Sequence, residues 1–73
     1  MSWLITGGAG YIGSHMVWHC HDHTIPFVVL DDFSTGFRAN LPSSLDLVKG
    51  DVADQALLAS IFARYDITTI IHF

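Results

Sequence analysis

Ile5-Thr6-Gly7-Gly8-Ala9-Gly10-Tyr11-Ile12-Gly13-Ser14-His15 carries Gly7, Gly10 and Gly13 in a G-x-x-G-x-x-G array. A short apolar run, Trp3-Leu4-Ile5, precedes the array and a helix-like segment follows it. Strand, glycine turn and helix, in that order, are the setting in which such an array holds the pyrophosphate of a dinucleotide. Gly7 lets the chain leave the strand in a tight turn. Gly10 has no Cβ, so the backbone can approach phosphate oxygens, and Gly13 lets the first helix pack closely on the sheet. The helix is expected to begin near Tyr11, its free N–H groups and the positive end of its dipole turned to the phosphates.

Two further strand ends carry carboxylates. Pro26-Phe27-Val28-Val29-Leu30 reads as a parallel strand buried on both faces, and Asp31 follows it, 18 residues after Gly13. A carboxylate there accepts hydrogen bonds from both ribose hydroxyls of an adenosine and repels a 2′-phosphate, which favours NAD over NADP. Asp32 adds to that repulsion, and Arg38 is the only cation nearby. The alternative for Asp31 is a solvated turn carboxylate. Gly50-Asp51-Val52 follows the third strand candidate, so Asp51 stands at the sheet edge where open α/β folds bind ligands. Asp51 either accepts from an adenine amino group or competes with Asp54 to cap the next helix, and the residues alone leave both open.

The order of elements reads strand (2–6), helix (11–22), strand (26–31), loop (32–44), strand (45–49), helix (54–65), strand (68–73). The second helix carries Leu57, Leu58, Ile61, Phe62 and Tyr65 as an amphipathic stripe, with Asp54 as its N-cap and Arg64 near its C-terminal end. Alternating strands and helices predict an α/β fold, a partial Rossmann fold whose parallel sheet of about four strands is ordered 3-2-1-4 between flanking helices. The ligand crevice is then expected between strands 1 and 4. The loop 32–44, rich in turn formers, stands where a crossover helix is usual and is placed to wrap the adenosine.

Composition narrows the classes. The 73 residues allow one small domain, and 51% hydrophobic with 14% charged residues describes a core-rich segment that reads as a piece of something larger. Seven Asp against Arg38, Lys49 and Arg64 give a net charge of −4, so no nucleic-acid partner is expected. No apolar run reaches the roughly 18 residues of a membrane span, and no signal peptide is apparent, so neither membrane nor export is expected. A single cysteine, Cys20, agrees with a reducing, cytoplasmic setting.

Thr6-Gly7-Gly8-Ala9-Gly10-Tyr11-Ile12-Gly13-Ser14-His15, Leu30-Asp31-Asp32-Phe33-Ser34-Thr35-Gly36, Gly50-Asp51-Val52 and Ile71-His72-Phe73 together resemble the extended short-chain dehydrogenase/reductases. Within them the chain is most similar to the start of the UDP-glucose 4-epimerases, over its whole length; decarboxylases and 4,6-dehydratases of nucleotide sugars share much of the pattern. The resemblance implies residues 1–73 as the N-terminal part of an NAD-binding domain. Tyr11 and Ile12 would give backbone contacts to the pyrophosphate, and Asp31 would hold the ribose. Asp32, Phe33, Ser34, Thr35 and Gly36 would line the ribose, Asp51 and Val52 would contact adenine, and Phe73 would pass beside the cofactor. It implies a UDP-hexose substrate and a homodimer for the full-length protein only. The family's catalytic Tyr-x-x-x-Lys is missing: four residues after Tyr11 and Tyr65 stand His15 and Thr69. No catalytic residue is therefore assigned, and the segment alone is not expected to epimerise anything.

A second departure is His19-Cys20-His21-Asp22-His23-Thr24, where the family usually has apolar residues near 20 and 21 and glycine near 24. Glycine would end the helix in a left-handed cap, a conformation that β-branched Thr24 adopts poorly. His21 is expected in the core or at its edge. His15 and His19 share a helix face, but Cys20 points about 100° away and no second ligand cluster follows, so no metal site is expected. Phe27, Phe62 and Tyr65 are read as core, His72 as a satisfied strand-end residue, and Trp18 as partly exposed or a contact for further chain.

Overall fold

Strands and helices alternate along the chain as β1 (Ser2–Thr6), α1 (Tyr11–Asp22), β2 (Phe27–Asp31), β3 (Asp46–Lys49), α2 (Gln55–Arg64) and β4 (Ile67–His72). A 3-10 turn at Arg38–Asn40 interrupts the long β2–β3 connection. The computed structural model describes residues 1–34 and 36–73. The four strands are parallel and ordered β3-β2-β1-β4, as the alternation of elements predicts. β1 and α1 keep the boundaries of the sequence reading, and the other elements shift by one residue at one or both ends. Pro26 has no N–H to give a ladder, so β2 starts at Phe27, while the Pro26 carbonyl still accepts from Trp3 N–H at 2.9 Å.

Side-chain alternation sorts the core into two layers. Ile5, Val29, Val17, Cys20, Ala9 and Leu41 form the cluster beneath α1, while Leu4, Val28, Leu30 and Ile61 form the one beneath α2. Leu4, Ile5, Leu30, Val17, Val28 and Val29 are each under 2% exposed, and each such aliphatic side chain contributes about 1.5–3 kcal/mol on burial. β4 is covered less well. Ile70 pairs in register with Leu4, on the α2 side, yet is 55% exposed. Phe62, read as core, is 45% exposed, because the apolar stripe of α2 is wider than the part of the sheet it covers, and Phe62 falls on its uncovered flank. Phe27 and Tyr65 do pack against the two clusters.

The β2–β3 loop is tied down without a crossover helix. Leu41 is buried, Trp18 Nε1 donates to the Asn40 carbonyl (2.8 Å), and Asn40 Nδ2 donates to the Ala9 carbonyl (2.9 Å). Trp18 is thus half-exposed and serves as an anchor for this loop. Arg38 closes the loop on itself, donating to the carbonyls of Pro42 and Ser43.

The two helices end and begin by different means. At α2 the Asp54 side chain accepts from Leu57 N–H, the expected N-cap. At the end of α1, Thr24 N–H donates to the His21 carbonyl and Ile25 N–H to the Cys20 carbonyl, a Schellman closure. That closure requires Thr24 at φ +53, the left-handed region a β-branched residue rarely enters. His21 lies outside the core: it is exposed, 3.5 Å from the Asp22 carboxylate, with its ring edge-on to Trp18.

Thr24→Gly is expected to stabilise the chain by about 1 kcal/mol, read as a rise in the urea midpoint at constant slope. A fall would show that the hydrogen bond from Thr24 Oγ1 to the His23 carbonyl outweighs the backbone strain. Cys20 offers a second check. It is fully buried, and burial pushes its thiol up, so the reactive thiolate is scarce in the folded chain. Maleimide labelling should be slow in buffer and prompt in denaturant; equal rates would mean that α1 is not docked.

Candidate functional site

The C-terminal ends of all four strands open onto one cavity of about 560 Å³. Thr6, Gly7, Gly10, Tyr11, Ile12 and Gly13 form one wall; Leu30, Asp31, Asp32 and Ser34 form the next; Gly50, Asp51 and Val52 follow, and His72 and Phe73 close it. Eleven of the sequence-derived site residues therefore meet in one place: Gly7, Gly10, Tyr11, Ile12, Gly13, Asp31, Asp32, Ser34, Asp51, Val52 and Phe73. Two do not line it. Phe33 turns inward against the α1 core, and Gly36 is buried under Ala9. Thr35 lies outside the described residues.

The glycine turn has distinct demands at each position. Gly7 has φ +71 and is pressed by the Phe73 carbonyl, which would stand 2.8 Å from any Cβ. A Cβ at Gly13 would stand 2.2 Å from the Gly7 carbonyl oxygen, so Gly13 packs the helix onto the turn itself. The close approach of α1 to the sheet, assigned by sequence to Gly13, falls to Gly8, which sits between Val17 and Val29. Gly10 differs from these: a Cβ there would meet only the Gly7 carbonyl, at 3.5 Å, and the space in front is open.

α1 starts without a cap. Gly10 supplies no side-chain acceptor, and no acidic residue occupies the first turn. Ser14 N–H makes the first bond of the helix, to the Gly10 carbonyl, and among the described residues the amides of Tyr11, Ile12 and Gly13 have no acceptor. Unpaired amides at the positive end of a helix dipole, facing a cavity, make a site for an anion such as a phosphate.

Asp31 is not a solvated turn residue. It is 8% exposed, its Oδ2 accepts from Ala9 N–H (2.8 Å), and its Oδ1 accepts from Phe33 N–H (2.7 Å). The carboxylate thus pins the glycine turn to the end of β2, a role the sequence reading missed. Two oxygens carry about four acceptor positions, so Asp31 retains capacity for further donors in the cavity. Asp32 is exposed, and the Ser34 N–H on its carboxylate holds it below the usual carboxylate range. Asp51 accepts from Ala53 N–H in an Asx turn and leaves the cap of α2 to Asp54. Arg38, engaged with the loop carbonyls, is not among the residues lining the cavity.

Thr6 and His72 line the cavity as well. They stand opposite each other at the ends of β1 and β4, with Thr6 Oγ1 bonded to His72 Nδ1. A second, more open cavity of about 430 Å³ lies at the other end of the sheet, near Cys20, Thr24 and Asp46. It draws on none of the glycine or strand-end motifs, and among the described residues no three His, Cys, Asp or Glu side chains converge as metal ligands. No helix among these residues is long and apolar enough to cross a membrane.

A four-stranded parallel sheet with a glycine turn, an uncapped helix start and a buried carboxylate at the second strand defines the first half of a dinucleotide-binding α/β domain. The chain belongs to the NAD dependent epimerase/dehydratase family, whose model matches residues 3–73. It is 41% identical over 70 residues to the UDP-glucose 4-epimerase of Azospirillum brasilense, covering 96% of this chain and 20% of that protein. The solved UDP-glucose 4-epimerase of Thermus thermophilus in complex with NAD superposes with a TM-score of 0.91 at 35% identity, over 99% of this chain and 23% of that one. The dTDP-glucose 4,6-dehydratase of Bacillus anthracis str. Ames in complex with NAD also superposes with a TM-score of 0.91, at 28% identity, over 100% of this chain and 26% of that one. The chain thus spans about a quarter or less of the length of these relatives.

Asp31→Asn is expected to destabilise the chain by about 1–3 kcal/mol, since the amide replaces one acceptor by a donor facing a buried N–H. Chemical denaturation measures it. An unchanged midpoint would mean that the glycine turn holds its shape without the carboxylate.

Proposed function

We propose that residues 1–73 are the NAD-binding segment of a nucleotide-sugar 4-epimerase acting on UDP-glucose and UDP-galactose. The observation that carries the reading is the one cavity lined both by Tyr11, Ile12 and Gly13, whose amides are unpaired, and by the Asp31 carboxylate at the end of β2. The amides would hold the pyrophosphate, with Gly10 leaving room for it. Asp31 and Asp32 would take the ribose and repel a 2′-phosphate, with Ser34 beside them; Phe33, Thr35 and Gly36 would shape that loop. Asp51 and Val52 would border the adenine, and Phe73 would flank the cofactor. When bound, NAD supplies the hydride acceptor for C4 of the hexose, and this chain binds and orients it.

The hexose site and the catalytic base belong to further chain in this reading, as does a homodimer contact; these 73 residues alone are inactive. The buried, unpaired Cys20 accords with a reducing cytoplasm. A nucleotide-sugar 4,6-dehydratase is the second reading, supported by the structural likeness to that enzyme. The coding sequence read past Phe73, expressed and assayed with UDP-glucose, UDP-galactose and dTDP-glucose, separates the two. Turnover of none would leave a non-catalytic nucleotide-binding module.

The binding half is tested on the 73-residue chain by calorimetric titration with NAD and NADP. NAD is expected to bind, with NADP at least about tenfold weaker because two carboxylates meet the 2′-phosphate. Gly10→Ala should keep the fold, since its Cβ has room, and lose most of the NAD affinity, since the Cβ occupies the approach to the pyrophosphate. Equal binding by wild type and Gly10→Ala would overturn the reading of the turn.

A further inference from the structure

We propose that Thr6 and His72 form a positioning clasp that fixes the distance between the glycine turn and the end of β4, and that the clasp sets the His72 ring as the Nε2–H tautomer. The inference rests on the cofactor reading above for its functional consequence and on geometry for the clasp itself. Thr6 is tied to β4 at two points: its carbonyl accepts from Phe73 N–H at 3.0 Å, and its hydroxyl meets His72 Nδ1. Phe73, held in this way, sets its own carbonyl against Gly7. The chain of contacts Thr6–His72–Phe73–Gly7 therefore spans the crevice between β1 and β4, where the strand order reverses. Ligands of open α/β sheets bind at such reversals.

The tautomer follows from satisfying Thr6. Thr6 is 3% exposed, and no other side-chain partner of its hydroxyl exists among the described residues. Its O–H must find an acceptor, and a neutral imidazole offers one nitrogen for that purpose. Thr6 Oγ1 donates to Nδ1, and the ring proton is left on Nε2. If Nδ1 donated instead, a hydroxyl hydrogen would be buried without a partner, at a cost of about 1–3 kcal/mol. His72 lines the cavity, and the clasp fixes its ring there through a residue that is itself paired within the sheet.

Two measurements on the 73-residue chain test this. Long-range ¹⁵N–¹H correlation at pH 8 should show His72 as Nε2–H, and an Nδ1–H ring would overturn the proposal. NAD titration is then run on His72→Asn and His72→Gln, changes at an exposed position that leave the fold in place. The Asn amide oxygen falls near Nδ1 and keeps an acceptor for Thr6; the Gln amide falls near Nε2 and does not. The clasp predicts that Asn stays within about twofold of wild type while Gln weakens NAD about fivefold to tenfold and shifts the Gly7 and Phe73 amide resonances. Thr6→Val should match Gln, and Thr6→Ser should match wild type. If Gln and Asn bind NAD alike, the positioning role is overturned. If wild type binds no NAD at all, the cofactor reading fails, and the clasp is judged on the tautomer and on the Gly7 and Phe73 amides of the Gln variant alone.

Discussion

The Asp31 carboxylate is the contact on which the arrangement of the site depends. A glycine-rich turn has few side chains to hold it, and each glycine loses more conformational freedom on folding than any other residue. Asp31 compensates from across the sheet. One oxygen fixes Ala9 in the middle of the turn and the other fixes Phe33 at the start of the next loop. Ala9 in turn is the point on which that loop closes, because its carbonyl accepts from Phe37 N–H and from Asn40 Nδ2. One buried charge thereby joins the end of β2, the glycine turn and the 32–44 loop. A buried carboxylate is tolerated when backbone donors solvate it, and here two do so.

The two helices show how sequence assigns structural and functional duties. α2 begins with Asp54, whose side chain satisfies Leu57 N–H, so its start needs nothing from outside. α1 begins with Gly10, has no acid in its first turn and leaves three amides unpaired into the cavity. In isolation this is a defect of the order of a lost cap, about 1 kcal/mol. An anion bound in the cavity would supply the missing acceptors. The contrast lies within one short chain, so a general tolerance for poor caps does not account for it.

Much of this was legible from residue order. The glycine spacing, the apolar run ending in Asp31 and the stripe on α2 placed all four strands and both helices within one residue. Eleven of the fourteen site residues meet in the cavity because strand ends carry them there, and the parallel sheet brings strand ends together whatever lies between. What was not legible involves contacts between distant segments. Nothing local in the sequence says that Phe33 turns inward, that Asp31 reaches back to Ala9, or that Trp18 anchors Asn40. Phe62 was misread because a helical stripe reports which face is apolar and not how much sheet lies beneath it. Gly8 was overlooked because the motif draws attention to a glycine at every third position, whereas the helix meets the sheet at a glycine between two of them.

Among the described residues two other than glycine occupy the left-handed region, and they stand at opposite ends of the molecule with different support. Phe33, at φ +60, is held by the Asp31 carboxylate on its N–H and by packing of its ring against the α1 core. The same strain at Thr24 is opposed only by the helix closure and its own hydroxyl. Strain that is fixed by surrounding contacts can be used to aim a loop, and the loop after Phe33 borders the cavity. Strain at Thr24 borders no part of it. Thr24 therefore bears on stability, through its strained backbone at the end of α1 away from the cavity. The cavity end, at the start of the same helix, keeps the glycine turn and the uncapped helix start free of that strain.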